Sequence, residues 1–318
     1  MVFILVSCSA NDDAIVVDEP QETENPQEPE EPQEPEEPEE PEEPEEPEEE
    51  VKEYPFFAYN FGGLENLSPS QQISTLRRHG YDGITLRMAK AEHVAEYQQF
   101  AQLVQNATDF KIYSVFVRYN FDDAAGDRNR WKEVVDLIAG KGIDLWFIFG
   151  SDEPGIDDAH VEGVLRNVVE YSAGKNVPVT LYPHSWCYFD DTESALPMVE
   201  KINHANLKLA VHTYHELKAG NAGRLAEIVH KAKEHISFVT MAGAAKVTDM
   251  SSRKTMDATT IQPLEDGAYD FGPFLTALKE INYKGPVGYI NFKFEKALDD
   301  YLPKSLQEWE RLRDLYLK

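Results

Sequence analysis

From Tyr54 to the C-terminus, short apolar runs alternate with longer amphipathic stretches. The runs are Phe56–Phe61, Gly83–Met88, Ile112–Tyr119, Leu145–Phe149, Val179–Tyr182, Leu207–Thr213, Phe238–Ala242 and Val287–Phe292. Apolar runs this short read as buried strands, whereas longer stretches with apolar positions three and four apart read as helices. The helical stretches begin at Ser68-Pro69, with serine as N-cap and proline at the first helical position, and continue over roughly 92–107, 128–140, 157–173, 192–203, 221–234, 271–281 and 298–317. Gly80, Gly140 and Gly174 stand where three of them stop. Eight β-like runs interleaved with eight α-like ones predict an α/β chain closed into a (β/α)8 TIM barrel. A doubly wound sheet would ordinarily carry a glycine-rich phosphate turn, and neither G-x-G-x-x-G nor G-K-[ST] occurs.

The segment before the barrel has a different physics. Of the 58 acids in the 318 residues, 21 fall within residues 1–50, which hold no Lys or Arg. That leaves 58 − 21 = 37 acids against 30 bases in residues 51–318, a net of −7 out of −28. Proline recurs every third residue from Pro26 to Pro47 with glutamate in most gaps. Three residues per turn is the polyproline II repeat, so the prolines share an edge and the carboxylates repel one another into extension. Residues 26–50 would reach roughly 75–80 Å at about 3.1 Å per residue, with no apolar surface to bury. We expect a disordered spacer over 9–50, preceded by a signal remnant at 1–8 and followed by the barrel at 51–318. The stretch Leu5-Val6-Ser7-Cys8 resembles a bacterial lipobox, and the acids Asp12 and Asp13 resemble a surface-export signal. The resemblance implies acylation of Cys8 and a surface-exposed lipoprotein of the bacterial outer membrane.

Several classes are excluded on composition. A domain without a cationic excess does not displace counterions from phosphates, so nucleic acid is disfavoured as a partner. Two cysteines make neither a disulfide scaffold nor a multi-cysteine zinc site. No apolar run approaches the ~20 residues of a transmembrane helix.

Barrel chemistry sits at the C-terminal ends of the strands. Those ends carry Asn60, Arg87, Arg118, Asp122, Asp123, Asp152, Glu153, His184, Asp190, Asp191, His212, His215, Lys246, Asn291, Lys293 and Glu295. Six of the nine histidines fall on helices, while His184, His212 and His215 fall at two adjacent strand ends. With Asp190 they form a candidate divalent-metal set, since neutral imidazoles and one carboxylate suit Mn, Zn or Co and an oxygen-rich site suits Mg. His212 and His215 are three apart, which on a continuing strand would turn them to opposite faces. Trp186 and Tyr214, with Tyr59, Tyr119 and Tyr188, are candidates to stack on a sugar ring, and Arg87 and Arg118 to clamp a carboxylate or phosphate.

Leu181-Tyr182-Pro183-His184, Asp190 to Ala195, Ile202-Asn203-His204-Ala205-Asn206 and His215-Glu216-Leu217-Lys218 resemble the xylose-isomerase-like barrels, the so-called sugar phosphate isomerases/epimerases. Ile261-Gln262-Pro263-Leu264-Glu265-Asp266-Gly267, Asn282-Tyr283-Lys284-Gly285-Pro286-Val287-Gly288 and Ser305-Leu306-Gln307-Glu308-Trp309 extend that resemblance. It implies a divalent metal at strand ends four to eight, holding vicinal oxygens of a carbohydrate while a base removes an α-proton. His184, Asp190, His212 and His215 would be the ligands, and His184, Glu153 and Lys246 the proton-transfer candidates. An outward-facing protein points to an unphosphorylated sugar. The sequence departs from the family at strand eight, where Tyr289-Ile290-Asn291 replaces an expected Glu or Gln, and at strand seven, which has no carboxylate or imidazole. A noncatalytic carbohydrate-binding barrel with a degenerate metal site is therefore the alternative. Ser151-Asp152-Glu153-Pro154 also resembles the acid/base turn of some glycoside hydrolases, which require a second carboxylate about 5–5.5 Å away.

Overall fold

The computed structural model describes residues 52–122, 128–151 and 155–318. The spacer, Cys8 and Glu153 lie outside the described residues. Eight parallel strands close in sequence order: β1 (Phe56–Tyr59), β2 (Gly83–Arg87), β3 (Lys111–Tyr119), β4 (Asp144–Phe149), β5 (Val179–Leu181), β6 (Leu207–His212), β7 (Ile236–Met241) and β8 (Val287–Tyr289), with β8 pairing back onto β1. The predicted TIM barrel is the observed one. Ten helices follow: α1 (Pro69–Arg78), α2 (Glu92–Val104), α3 (Arg130–Ile138), α4 (Asp158–Ala173), α5 (Thr192–Ile202), α6 (Thr213–Lys218), α7 (Leu225–Ala232), α8 (Arg253–Thr260), α9 (Gly272–Glu280) and α10 (Leu298–Tyr316).

Helix α1 starts where its local chemistry dictates. The Ser68 side chain accepts from the Gln71 N–H while Gln71 reaches back to the Ser68 N–H, a capping box with Pro69 at the first helical position. Helix α5 is opened by Asp191 in the same way. Outward strand residues such as Phe56, Val115, Leu145 and Leu209 pack against the helices, and α10 lays Trp309 parallel to Phe56 at 5.1 Å between ring centroids.

The inward residues form a separate aromatic column. Phe57, Tyr59, Tyr113, Trp146, Tyr182, Tyr214 and Phe238 are all buried in it, with Phe57 stacked on Tyr113 at 4.7 Å. At the lower end Asp144, the first residue of β4, is buried beside Thr180. Alternation along β4 puts Asp144, Trp146 and Ile148 on one face, so this carboxylate sits in the packed interior at the end remote from barrel chemistry.

Two short helices, α6 and α8, are absent from the sequence expectation, and both sit over the upper end. The segment bearing α8 leaves β7 through an antiparallel bridge, with the Gly243 and Gln262 backbones exchanging hydrogen bonds of 2.9 and 2.8 Å. A Cβ on Gly243 would lie 2.1 Å from the Pro263 carbonyl oxygen, so only glycine allows this approach. Gly243→Val is expected to loosen the strap. A loss of about 1.4 kcal/mol in its local stability corresponds to about tenfold faster tryptic cleavage after Arg253 or Lys254, with the other sites unchanged.

Candidate functional site

The strand-to-helix switch at β6 settles where two of the histidines go. His212 is the last residue of β6 and the N-cap of α6, and His215 lies in the first turn of that helix. The period changes from 2 to 3.6 between them, which returns His215 to the face His212 occupies. Their ring centroids are 5.8 Å apart. His184, three residues beyond β5, comes within 4.2 Å of His215 by ring centroids. The structure thus gathers the three predicted imidazoles.

Their hydrogen bonds fix what they can do. His184 Nδ1 lies 2.9 Å from the Ser185 carbonyl, which only accepts, so this nitrogen carries the proton and Nε2 presents a lone pair. The Ser185 N–H donates to His215 Nδ1 at 3.3 Å, and the Ser185 hydroxyl lies 3.0 Å from it. A backbone N–H only donates, so His215 is the Nε2–H tautomer and its outer nitrogen offers a proton. His212 Nδ1 meets the Thr240 hydroxyl at 2.6 Å, and its ring stacks on Tyr182 at 3.6 Å. Burial holds all three imidazoles neutral: it lowers His184 to about 4 and pushes His212 and His215 well below the ordinary histidine value.

Beneath them the barrel axis is closed by phenols. Tyr182 and Tyr214 hydroxyls are 2.6 Å apart, and Tyr59 lies 3.2 and 3.1 Å from each. Three hydroxyls at three shared distances have three protons for three bonds, so each can donate to the next around the triangle. Burial raises all three phenols above their ordinary pKa, keeping those protons in place. Tyr214, expected to stack on a sugar, is instead part of this plug and is fully buried.

The other predicted residues disperse. Asp190 is exposed and accepts from the Trp186 N–H at 2.5 Å, closing a turn, and makes no hydrogen bond to the imidazoles among the described residues. Lys246 is exposed on the loop after β7 and makes no hydrogen bond or ion pair among the described residues. Trp186 is half-buried, and its left-handed backbone (φ 63°) turns the indole beneath Arg253, whose guanidinium carbon sits 3.9 Å above the ring centroid. Arg87 and Arg118 are exposed at the upper ends of β2 and β3, and Arg118 donates to the Cys187 sulfur at 2.9 Å.

Sequence reasoning missed Arg253, because α8 was not anticipated, and it gave no role to the buried pairs behind the histidines. Lys218 is buried against Asp257 at 2.8 Å, tying α6 to α8. Glu216 is fully buried and accepts from the Thr192 N–H and the Asn221 amide, each at 2.8 Å, so it joins α6 to the start of α5. Both lie in the quoted His215-Glu216-Leu217-Lys218 stretch, whose pattern gave no sign of burial. Glu216→Ala would strand two buried donors and is expected to cost about 2–3 kcal/mol in urea unfolding, with Glu216→Gln, which keeps an acceptor, costing less.

A family model described as xylose isomerase-like TIM barrel matches residues 73–309. The chain belongs to that family. Among solved structures it is similar to the IOLI protein with a bound zinc atom (18% identity, 82% of this chain and 97% of that one, TM-score 0.64). It is also similar to D-allulose 3-epimerase from Methylomonas sp. in complex with D-allulose (18% identity, 82% and 97%, TM-score 0.62). A third is a probable 3-DHS dehydratase from Bacillus anthracis (13% identity, 80% and 98%, TM-score 0.65). No curated protein gives a significant sequence match.

The dication implied by this xylose isomerase-like resemblance can be tested against the donors present. Two buried Nε2 atoms, on His212 and His215, have no hydrogen-bond partner. On His215 that nitrogen bears a proton in this hydrogen-bonded arrangement, which a metal would have to displace. Asp190 is engaged by the Trp186 N–H, and among the described residues no group of three or more His, Cys, Asp or Glu is disposed to hold a metal. The described residues do not supply a complete ligand set for a catalytic dication.

Proposed function

We propose that this protein is a noncatalytic carbohydrate-binding member of the xylose isomerase-like barrels, taking a sugar across the barrel mouth without metal. The observation that carries this reading is the hydrogen-bonded Tyr59–Tyr182–Tyr214 triangle, which fills the axis beneath the strand ends with neutral phenols. The mouth above it is rimmed by half-buried aromatics, Phe61, Phe116, Trp186 and Phe292, whose faces suit the C–H faces of a sugar ring. His184, with its exposed share and its Nε2 lone pair, supplies an acceptor for a sugar hydroxyl. The proposed setting is the outer face of a bacterial membrane, with Cys8 acylated and residues 9–50 as the spacer. An unmodified Cys8 in membrane-extracted protein would overturn that part.

The convergence of His184, His212 and His215 favours a second reading, a metal-dependent sugar isomerase or epimerase with α-proton chemistry. Calorimetric titration with neutral and acidic oligosaccharides, in buffer and in EDTA, separates the two. The binding reading expects identical affinities in both buffers and no turnover. It also expects a flat profile from pH 8 to about 5, because His184 gains a proton only near 4. Binding or turnover abolished by EDTA would favour the isomerase.

A further inference from the structure

We propose that the sugar taken at this mouth is anionic, a uronate or sulfate-ester glycan whose charged group is held by Arg253 and Arg118. This rests on the carbohydrate-binding reading above. Many cations on the outer helices pair with acids, among them Arg77 with Asp109, Arg166 with Glu162, Arg224 with Glu193, Lys231 with Glu227 and Arg311 with Glu308. Four at the mouth do not. Arg87, Arg118, Arg253 and Lys293 have no carboxylate partner among the described residues, in a domain where acids outnumber bases.

These unpaired cations share one region. Arg118 ends β3 and touches Cys187, Arg253 lies over Trp186 in the same loop, and Lys293 follows β8 with its ammonium 4.7 Å from the Phe292 ring. Arg87 ends β2 on the same inward face as Thr85, which bonds Ser114 across the barrel wall. The fields of Arg118, Lys218 and Arg253 all reach His184, and that of Lys293 reaches Lys218. Lys218 is neutralised by Asp257, and Asp190 is engaged by the Trp186 N–H. Four cations without a carboxylate partner among the described residues, beside a half-enclosed aromatic rim, favour an anionic group there.

The geometry also fits a flat or forked oxyanion. The Arg253 guanidinium carbon sits 3.9 Å over the indole centroid and its N–H groups make no hydrogen bond among the described residues, so they remain to donate to a carboxylate or sulfate. Arg118 spends one bond on a weak sulfur acceptor. A sugar ring spread over Phe61, Phe116 and Phe292 would thus carry its anionic substituent toward the β3–β5 side.

The test is calorimetric titration of the full chain with galacturonate oligomers and a chondroitin sulfate tetrasaccharide, against neutral galactose and glucose oligomers of equal length, at low and high salt. The acidic ligands are expected to bind about tenfold or more tightly than the neutral ones and to weaken with salt. Whether the galacturonate or the sulfated arm binds more tightly identifies the anionic group. Arg253→Gln, an exposed change, is expected to cost about tenfold for acidic ligands and nothing for neutral ones. Arg118→Gln is expected to act in the same direction, and Lys231→Gln on outer helix α7 is the silent control. Equal affinity for acidic and neutral oligomers, or acidic binding indifferent to both arginine changes, would overturn the inference while leaving carbohydrate binding intact. Failure of both classes to bind would overturn the underlying reading, and this inference with it.

Discussion

Tyr182→Ala is expected to lower the thermal midpoint by roughly 10 °C, whereas Tyr182→Phe lowers it by a few degrees. Removing the ring opens a cavity between Tyr59, Tyr214, Trp146 and His212, which surround it at 3.6 Å (His212, centroid to centroid) and 5.5 Å (Trp146, likewise). Truncations of buried aromatics cost about 3–5 kcal/mol, and in a domain of this size each kcal/mol shifts the midpoint by about 2–4 °C. The phenylalanine variant keeps the volume and loses only the hydroxyl, leaving Tyr59 and Tyr214 bonded to each other at 3.1 Å. Scanning calorimetry of the two variants checks this. Similar small losses in both would mean that the column is loosely packed and the axis is not plugged.

The second large effect comes from the opposite end. Asp144 is fully buried, one carboxylate oxygen lacks any partner, and burial raises its pKa from 3.8 to about 8. A carboxyl whose folded pKa lies above its unfolded value contributes its full share of stability below pH 3.8 and loses it as pH rises toward 8. At neutral pH folding therefore requires it to take up a proton or to bury a charge, at a cost on the order of 2–4 kcal/mol. Asp144→Asn removes that cost, so the variant is expected to be more stable, by little at pH 5 and by the most near pH 8. The neutral histidines slope the other way: their lowered pKa values remove stability as pH falls from the unfolded value of 6.5 toward 4. Thermal midpoints of both proteins across that range check the sign, and a gap that does not widen with pH would refute the account of Asp144.

The barrel was legible because its signals are local. Ser68-Pro69, the strand-length apolar runs and the helix-stopping glycines depend only on neighbours in the chain, and the eightfold alternation leaves few closed arrangements. Helices α6 and α8 escaped because they are short and are held by long-range contacts, Lys218 with Asp257 and Gly243 with Gln262. The gathering of His184, His212 and His215 was legible from strand ends. What was not legible was the direction of the protons and the identity of the neighbours. Whether His215 accepts from Ser185 and whether Asp190 turns toward Trp186 are decided by loop geometry that no spacing encodes. Tyr59 and Tyr214 likewise read as ligand-facing aromatics until the closed barrel set their hydroxyls against each other and against Tyr182.

Metal stoichiometry tests the central claim most directly. The full chain should be produced in medium supplemented with Mn, Co and Zn, purified without chelators or histidine tags, and assayed by plasma mass spectrometry alongside His212→Ala. The account predicts well under one equivalent of any divalent metal in both proteins. One equivalent in the parent that disappears in the variant would contradict it and restore a catalytic dication to the mouth of the barrel.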